Sequence, residues 1–338
     1  MKEPLVSIIT PVRNAVKDGR IGFLKQCIER VHAQTYGSIE HILQDGMSND
    51  GTLDVLEEYE AKGWIKLYSE KDIGVHDAIN KAVAKSNGEL LAIISSDDYY
   101  KDDDIISHMV SFFTKEEGVD YVYGDEEHIS VDTGKYIRTW KGDSDAGTFW
   151  YRNTFNTETM LFSKKIFNLV GGFDNNYQAA ADLKLQMSFK IRDFKGVYCG
   201  RVVDIMRMGR GISSNPSTMF ISKKDVSDIC CWLWKQFEPE MTPCMAEHML
   251  EYNDYSEIFL RKLRYFLINK KLRNFDYISF NSEINELIRT TNLKKNNDIC
   301  TDICVYPLKN VPIIRIKQKG NSKKIYILGI PIMKINIK

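Results

Sequence analysis

The feature that most constrains this chain is the regular alternation of strand-like and helix-like patterns, with short connections, over its first hundred residues. Leu5-Val6-Ser7-Ile8-Ile9 reads as a strand ended by Thr10-Pro11, after which Leu24, Cys27, Ile28 and Val31 recur at helical spacing. Glu40-His41-Ile42-Leu43-Gln44 reads as a second strand, broken by Asp45-Gly46. Thr52 is expected to cap a helix carrying Leu53, Leu56 and Tyr59 on one face, with Gly63 placed to end it. A third strand is expected over Trp64 to Ser69, and a helix over Val75 to Lys85 with Ala78, Ile79, Ala82 and Val83 on its buried face. Glu89 to Ser95 then reads as a buried strand that stops at Asp97-Asp98. Such alternation predicts an α/β fold: a mostly parallel sheet with helices on both faces.

The length, 338 residues, suggests about two domains or one large α/β domain with an extension. Beyond residue 120 the pattern loosens. Tyr121 to Asp125 reads as a strand and turn, Met160 to Phe162 as a further strand, and a helix ends at Gly171-Gly172 before another begins near Ala181-Asp182. From Ser222 to about Asn292 the signals are mainly helical and rich in aromatic residues. From Val305 onward apolar and basic residues alternate, as in short strands or a small hairpin. The expected division is an α/β domain over 1–220, a helical extension over 221–304 and a basic, β-rich tail over 305–338.

The balance of 46 basic and 46 acidic residues hides an asymmetry. Residues 261–338 hold 17 Lys and Arg against 5 Asp and Glu, a net +12, so residues 1–260 carry −12. A basic tail is suited to an anionic membrane surface, where each Lys or Arg contributes about 1 kcal/mol, or it is simply a solvated face. No nucleic-acid partner is expected. The longest late uncharged stretch, Ile325 to Met333, is broken by Gly329 and Pro331 and is far short of the roughly 20 residues of a membrane-spanning helix. Without a signal-peptide pattern the chain is expected in the cytoplasm, with peripheral attachment to the inner face of the membrane as the tail's contribution. The seven cysteines show no Cys-x-x-Cys pair, and Cys300 and Cys304 would share one helix face without making a metal site.

Sheets of this type bind ligands beyond the carboxyl ends of their strands. Those ends carry Thr10-Pro11-Val12-Arg13-Asn14, the run Asp45 to Thr52, Glu70-Lys71-Asp72 and Ser95-Ser96-Asp97-Asp98. There is neither a Gly-x-Gly-x-x-Gly nor a Gly-x-x-x-x-Gly-Lys-Ser/Thr sequence, which disfavours a dinucleotide dehydrogenase and a P-loop NTPase.

Taken in order, these strand ends, the run Ser69 to Lys81 (Ser-Glu-Lys-Asp-Ile-Gly-Val-His-Asp-Ala-Ile-Asn-Lys) and Gly171-Gly172-Phe173-Asp174 resemble the family 2 inverting glycosyltransferases of the GT-A fold, over about residues 4–215. The branch they resemble most makes bacterial surface polysaccharides and lipopolysaccharides. The resemblance implies a Rossmann-like GT-A domain and the transfer of a sugar from a nucleotide sugar, with UDP-sugars preferred. The implied acceptor is a saccharide, of which an undecaprenyl-diphosphate-linked surface-glycan intermediate is one form.

It also implies roles. Asp97 and Asp98 would hold Mn2+ or Mg2+, since carboxylates suit hard cations, and Asp97 would belong to the donor site as well. Ser95 stands where the family's Asp-x-Asp motif has its first acidic residue. Asp45 would accept a hydrogen bond from a uracil-type N3–H, and Thr10, Pro11, Arg13 and Lys71 would line the nucleotide and diphosphate. Asp182 would be the base that takes the acceptor hydroxyl's proton, although Ala181 precedes it where the family has Glu. Arg210, between two glycines, would reach the diphosphate. The plain structural alternatives are a turn at Asp45-Gly46, a turn or cap at Asp97-Asp98 and a helix cap at Asp182. As whole-protein alternatives, the missing acidic residues leave room for a catalytically silent glycan-binding or assembly subunit, and the carboxylate pair for a metal-dependent sugar nucleotidyltransferase.

Overall fold

The computed structural model describes residues 3–142, 155–192, 194–209, 216–236 and 238–252, together with four C-terminal strands over 300–305, 314–319, 322–327 and 330–336. The expected alternation is present: β1 (Val6–Val12), α1 (Ile21–His32), β2 (Ile39–Asp45), α2 (Thr52–Ala61), β3 (Lys66–Ser69), α3 (Val75–Lys85) and β4 (Leu90–Ile93). β1 lies between β2 and β4 and is parallel to both, and β3 extends the parallel set beyond β2. The chain therefore moves to one side of β1 and then to the other, which opens a crevice at the carboxyl ends of β1 and β4.

Helix formation follows the apolar spacing. Leu24, Cys27, Ile28 and Val31 of α1, and Ala78, Ile79, Ala82 and Val83 of α3, are the buried faces of their helices. Ile8 and its neighbours Val6, Leu90 and Ala92 pack with α1 and with α4 (Ile105–Lys115). Ile9, Ile42 and Leu91 pack with α3 on the other side. Alternate residues of β1 thus serve opposite faces, and each such side chain taken out of water contributes about 1.5–3 kcal/mol. Thr52 differs from expectation: Gly51, left-handed at φ +93°, precedes α2, and the Asp50 side chain, not Thr52, accepts a first-turn N–H, that of Thr52 at 3.0 Å. Thr52 is buried inside the helix start, where its hydroxyl accepts the backbone N–H of Val16 at 3.1 Å and ties two loops together.

The second half of the sheet is mixed. After the short β5 (Tyr99–Tyr100), β6 (Tyr121–Ser130) forms a hairpin with β7 (Tyr136–Trp140). A 3-10 turn (Thr157–Thr159) leads into β8 (Met160–Ser163), which runs antiparallel between β4 and β6. Helices α5 (Lys164–Val170) and α6 (Ala181–Ile191) follow, then β9 (Gly196–Met208), parallel to β6 and antiparallel to β5. The turn expected at Gly124-Asp125 is instead a shift of register inside β6. A Cβ on Gly124 would stand 2.6 Å from the Arg201 carbonyl oxygen, so glycine serves close strand approach there. α6 packs with α7 (Pro216–Trp234) and α8 (Pro243–Tyr252) around Ile229, Leu233, Trp234 and Met249.

The last strands, β10 (Cys300–Val305), β11 (Ile314–Lys319), β12 (Ser322–Ile327) and β13 (Ile330–Asn336), form a four-stranded antiparallel sheet. Cys300 and Cys304 accordingly lie in a strand, not on a helix. Among the described residues no helix is long and apolar enough to cross a membrane.

Candidate active site

The loops after β1 and β2 are latched to one another. Asn14, at φ +49°, donates its N–H to Ser48 Oγ (2.8 Å), and its side-chain oxygen accepts the Asn49 N–H (3.1 Å). The Lys17 N–H donates to Asp50 Oδ2 at 2.7 Å. Asp45 ends β2 fully buried and accepts from the Ser48 N–H (3.0 Å), Ser48 Oγ (2.5 Å) and Ser69 Oγ (2.6 Å). The ends of β2 and β3 are thus joined through its carboxylate. A Cβ on Gly46 would come 3.2 Å from Arg13 Cδ and still closer to the Asp72 carboxylate, so the Arg13 and Asp72 side chains close directly over this turn.

Thr10 is buried, with its hydroxyl paired to His41 Nε2 at 2.9 Å. Burial drives the His41 pKa down to about 3, which keeps the ring neutral. Thr10 therefore acts at the strand end through its backbone, its side chain being turned inward. Pro11 is half-buried, and Arg13 and Lys71 are exposed at the rim. Lys81 holds the Lys71 carbonyl at 2.7 Å and also bonds Asp77, while Asn80 exchanges two hydrogen bonds with the Phe173 backbone. The polar face of α3 thereby fastens the loop after β3 to the Gly171–Asp174 turn. His76 packs on Phe173, with ring centroids 5.0 Å apart.

The Asp97-Asp98 pair divides its work. Asp97 is partly exposed, and Arg20 Nη1 lies 3.9 Å from its Oδ2. Asp98 is buried, and its Oδ1 accepts the Arg207 N–H of β9 at 2.8 Å. Burial, then the Asp97 charge, pushes the Asp98 pKa well above the usual carboxylate range. The Arg207 guanidinium donates to the Asp97 carbonyl and to Gln26 Oε1 (2.5 Å), and lies 4.3 Å from the Phe23 ring centroid and 4.8 Å from that of Tyr99. α1, β9 and the Asp97 turn are therefore bolted together.

Beneath this turn are carboxyl groups that no sequence motif marks. Asp204 on β9 is fully buried with neither oxygen hydrogen-bonded, and burial, followed by the charges of Glu126, Asp98 and Glu158, raises its pKa strongly. Glu158, in the 3-10 turn before β8, accepts a hydrogen bond from Ser95 Oγ at 3.0 Å. Burial, then Glu126 and to a lesser degree Asp182, carries the Glu158 pKa up to about 7. Asp182 lies in the first turn of α6, which starts at Ala181 with Ala180 before it, so Asp182 is not the helix cap. Gln186, one turn further along α6, donates to the Phe155 carbonyl (3.1 Å) and Thr157 Oγ1 (3.4 Å), anchoring α6 to the Glu158 turn. Arg210 lies outside the described residues.

The carboxyl ends of four parallel strands thus carry basic, acidic and hydroxyl groups, and Asp182, in the mixed half of the sheet, lies near enough for its charge to act on Glu158 beside the Asp97 turn. That topology is a GT-A fold. Residues 7–174 match the family model of glycosyl transferase family 2, and the chain belongs to that family of glycosyltransferases. A PGL/p-HBAD biosynthesis glycosyltransferase of Mycobacterium bovis is 28% identical over 196 residues, covering 57% of this chain and 71% of the relative. A putative teichuronic acid biosynthesis glycosyltransferase of Bacillus subtilis, TuaG, is 36% identical over 103 residues, covering 30% of this chain and 39% of the relative. Among solved structures, S. aureus TarS 1-349 in complex with UDP-GlcNAc matches at TM-score 0.56 and 14% identity, covering 85% of this chain and 81% of that one. The mannosyltransferase PcManGT of Pyrobaculum calidifontis, in complex with GDP-Man and Mn2+, matches at TM-score 0.53 and 16% identity, covering 82% and 78%.

Among the described residues no group of three or more His, Cys, Asp or Glu side chains is arranged to hold a metal ion. A Mg2+- or Mn2+-type site of one or two carboxylates completed by substrate phosphates needs no such group. The hard, partly exposed carboxylate of Asp97 fits that kind of site.

Proposed function

We propose that this chain is an inverting, divalent-cation-dependent glycosyltransferase that moves a sugar from a nucleotide sugar, preferably a UDP-sugar, to a saccharide acceptor. The observation that carries the reading is the joining of the Asp97 turn to α6: Ser95 bonds Glu158 on one side, and Gln186, one turn beyond Asp182, bonds Thr157 of the same 3-10 turn on the other. In this reading a cation group and a proton acceptor serve one crevice. Asp97 would hold Mn2+ or Mg2+, which stabilises the charge developing on the diphosphate leaving group. Asp98 keeps the turn on β9, and Asp45, Pro11, Arg13 and Lys71 border the nucleotide, with Thr10 shaping the strand end. Asp182 takes the proton of the acceptor hydroxyl as that oxygen attacks the anomeric carbon from the face opposite the diphosphate. The Mn2+ complex of PcManGT supports the cation, and the UDP-GlcNAc complex of TarS supports the donor class.

The relatives named for PGL/p-HBAD and teichuronic acid biosynthesis favour a surface-glycan acceptor, and we extend this to a lipid-linked one such as an undecaprenyl-diphosphate saccharide. The basic C-terminal region would then meet the inner face of the cytoplasmic membrane. The strand register supports this, since Lys317, Lys324 and Lys334 occupy adjacent positions across three strands. Unchanged sedimentation with anionic liposomes after removal of 305–338 contradicts this part.

The decisive experiment is calorimetric titration with UDP, GDP and dTDP, with and without Mn2+, for the wild type and Asp97→Asn. Cation-dependent binding of one nucleotide that is lost in the variant is the expected outcome. Binding to none of them favours the silent-subunit reading instead.

A further inference from the structure

We infer that Asp72 is the residue that reads the base of the donor nucleotide, one of its carboxylate oxygens accepting the N3–H of uracil. This deepens the nucleotide-sugar reading given above and rests on it. The strand register sets the residues side by side: Val12 pairs with Asp45 and Asp45 with Ser69, so β1, β2 and β3 end at one level. The chain just beyond is held there too, since the Gly46 N–H donates to the Val12 carbonyl at 2.9 Å and the Glu70 N–H to the Asp45 carbonyl at 3.0 Å. Arg13, Gly46 and Asp72 consequently meet. Gly46 is buried, and the place that a Cβ on it would take lies 3.2 Å from Arg13 Cδ and closer still to Asp72 Oδ2. A carboxylate oxygen and the stem of a guanidinium thus flank one point above the turn after β2.

Asp45, to which the family resemblance gives the base contact, is placed differently. It has no exposed surface, and its two oxygens already accept the Ser48 N–H, the Ser48 hydroxyl and the Ser69 hydroxyl. It braces the floor of the site. Asp72 is partly exposed above it. The Gly74 N–H donates to Asp72 Oδ1 at 3.1 Å, which orients the carboxylate, and no other described residue donates to Oδ2. The neighbouring backbone is fixed from α3, where Asp77 Oδ2 accepts the Ile73 N–H at 3.1 Å and Lys81 Nζ donates to the Lys71 carbonyl at 2.7 Å. The Arg13 guanidinium has neither hydrogen bond nor ion pair among the described residues. An anchored acceptor beside a free donor complements the imide edge of uracil, in which N3–H stands between two carbonyl oxygens. Cytosine has a bare acceptor at N3 and would set its lone pair against the carboxylate. A hydrogen bond to an ionised acceptor is short and strong, which suits a group that discriminates between bases.

The test is calorimetric titration of UDP and of CDP, both in Mn2+, into wild type, Asp72→Asn and Asp45→Asn, with a thermal melt of each protein to show that it is folded. The wild type should bind UDP roughly tenfold or more tightly than CDP, the difference made by one hydrogen bond to a charged group. In Asp72→Asn the ratio should shrink to about twofold or less, because an amide accepts from uracil and donates to cytosine alike. Asp45→Asn should weaken both nucleotides together and keep the wild-type ratio. A merely structural role for Asp72 would move both affinities and spare the ratio. The assignment is overturned by a wild type that binds UDP and CDP within about twofold of one another, by a ratio that survives in Asp72→Asn, by loss of both nucleotides from folded Asp72→Asn, or by a ratio that collapses in Asp45→Asn. Each of these leaves the donor site standing. Failure of the wild type to bind either nucleotide overturns the donor-site reading, and the assignment falls with it.

Discussion

Two carboxyl groups at opposite ends of the central sheet, Glu40 and Glu158, are held in opposite ways. At the amino end of β2, Glu40 is saturated: its oxygens accept from Ser7 Oγ (2.5 Å), Lys66 Nζ (2.5 Å), the backbone N–H groups of Asn87 (2.5 Å) and Gly88 (3.2 Å), and Asn87 Nδ2 (3.3 Å). Burial alone would raise its pKa, but the bonds from Lys66, Ser7 and Asn87 outweigh burial and bring it down to about 2. At the other end Glu158 has one side-chain donor, Ser95, and carboxylate neighbours, and its pKa rises to about 7. Desolvation acts on both groups, so the supply of donors decides the sign. A knot with every acceptor filled has stability as its product, whereas Asp204, with no donor to either oxygen, has its pKa driven up by burial and by the acids around it.

The contrast can be broken in several ways, of which Asp182→Asn has the largest expected effect. Transfer should fall by ~10²–10⁴-fold, the usual contribution of a positioned base, while nucleotide affinity stays near that of the wild type. Substantial surviving turnover in a coupled nucleotide-release assay would remove Asp182 from the mechanism. At the opposite end, Glu40→Ala should lower the free energy of unfolding by about 2–4 kcal/mol in urea titration, because it leaves the Asn87 N–H and the Ser7 hydroxyl without their acceptor. The folded fraction of that variant should bind nucleotide normally, and altered affinity would show that the two ends are not independent.

The pH dependence of stability sharpens the comparison. Glu40 binds protons less readily folded than unfolded, so its contribution is present above about pH 4.5 and is lost as pH falls toward about 2. Glu158 has the reverse sign. Its folded form holds a proton up to about pH 7, so stability falls as pH rises from about 4.5 to about 7. Each limb is worth about 2–4 kcal/mol by the size of these shifts. Unfolding curves of Glu158→Gln should show a flatter limb between pH 4.5 and 7 and an unchanged acid limb. The smallest effect is expected at the rim, where Lys71→Ala should weaken nucleotide binding by about threefold or less, as solvent and salt screen an exposed charge.

The alternating half of the fold was legible because its signals are local. The spacing of Leu24, Cys27, Ile28 and Val31, the turn at Asp45-Gly46 and the stop at Asp97-Asp98 all act within a few residues, and β1, β2, β4, α1 and α3 follow them. Local reasoning failed where a residue serves a distant partner. Thr52 resembles a cap but supports the loop after β1, and Gly124 resembles a turn but admits the neighbouring strand β9. Nothing near Thr157-Glu158-Thr159 distinguishes it from a polar loop. No local pattern separates the outward Asp97 from the inward Asp98 either.

By itself the sequence determined the parallel α/β half of the chain, the order of its strand ends and the chemical types gathered there, since apolar period and turn chemistry are properties of neighbouring residues. Only the tertiary structure decided which carboxyl groups are satisfied and which are left without donors. That depends on pairings across long stretches of chain: Ser95 with Glu158 at 63 residues, the Asp97 carbonyl with Arg207 at 110, and Asn80 with the Phe173 backbone at 93. A buried acid takes its charge state from the donors and charges the fold brings to it, and these come from strands and helices that are remote along the chain.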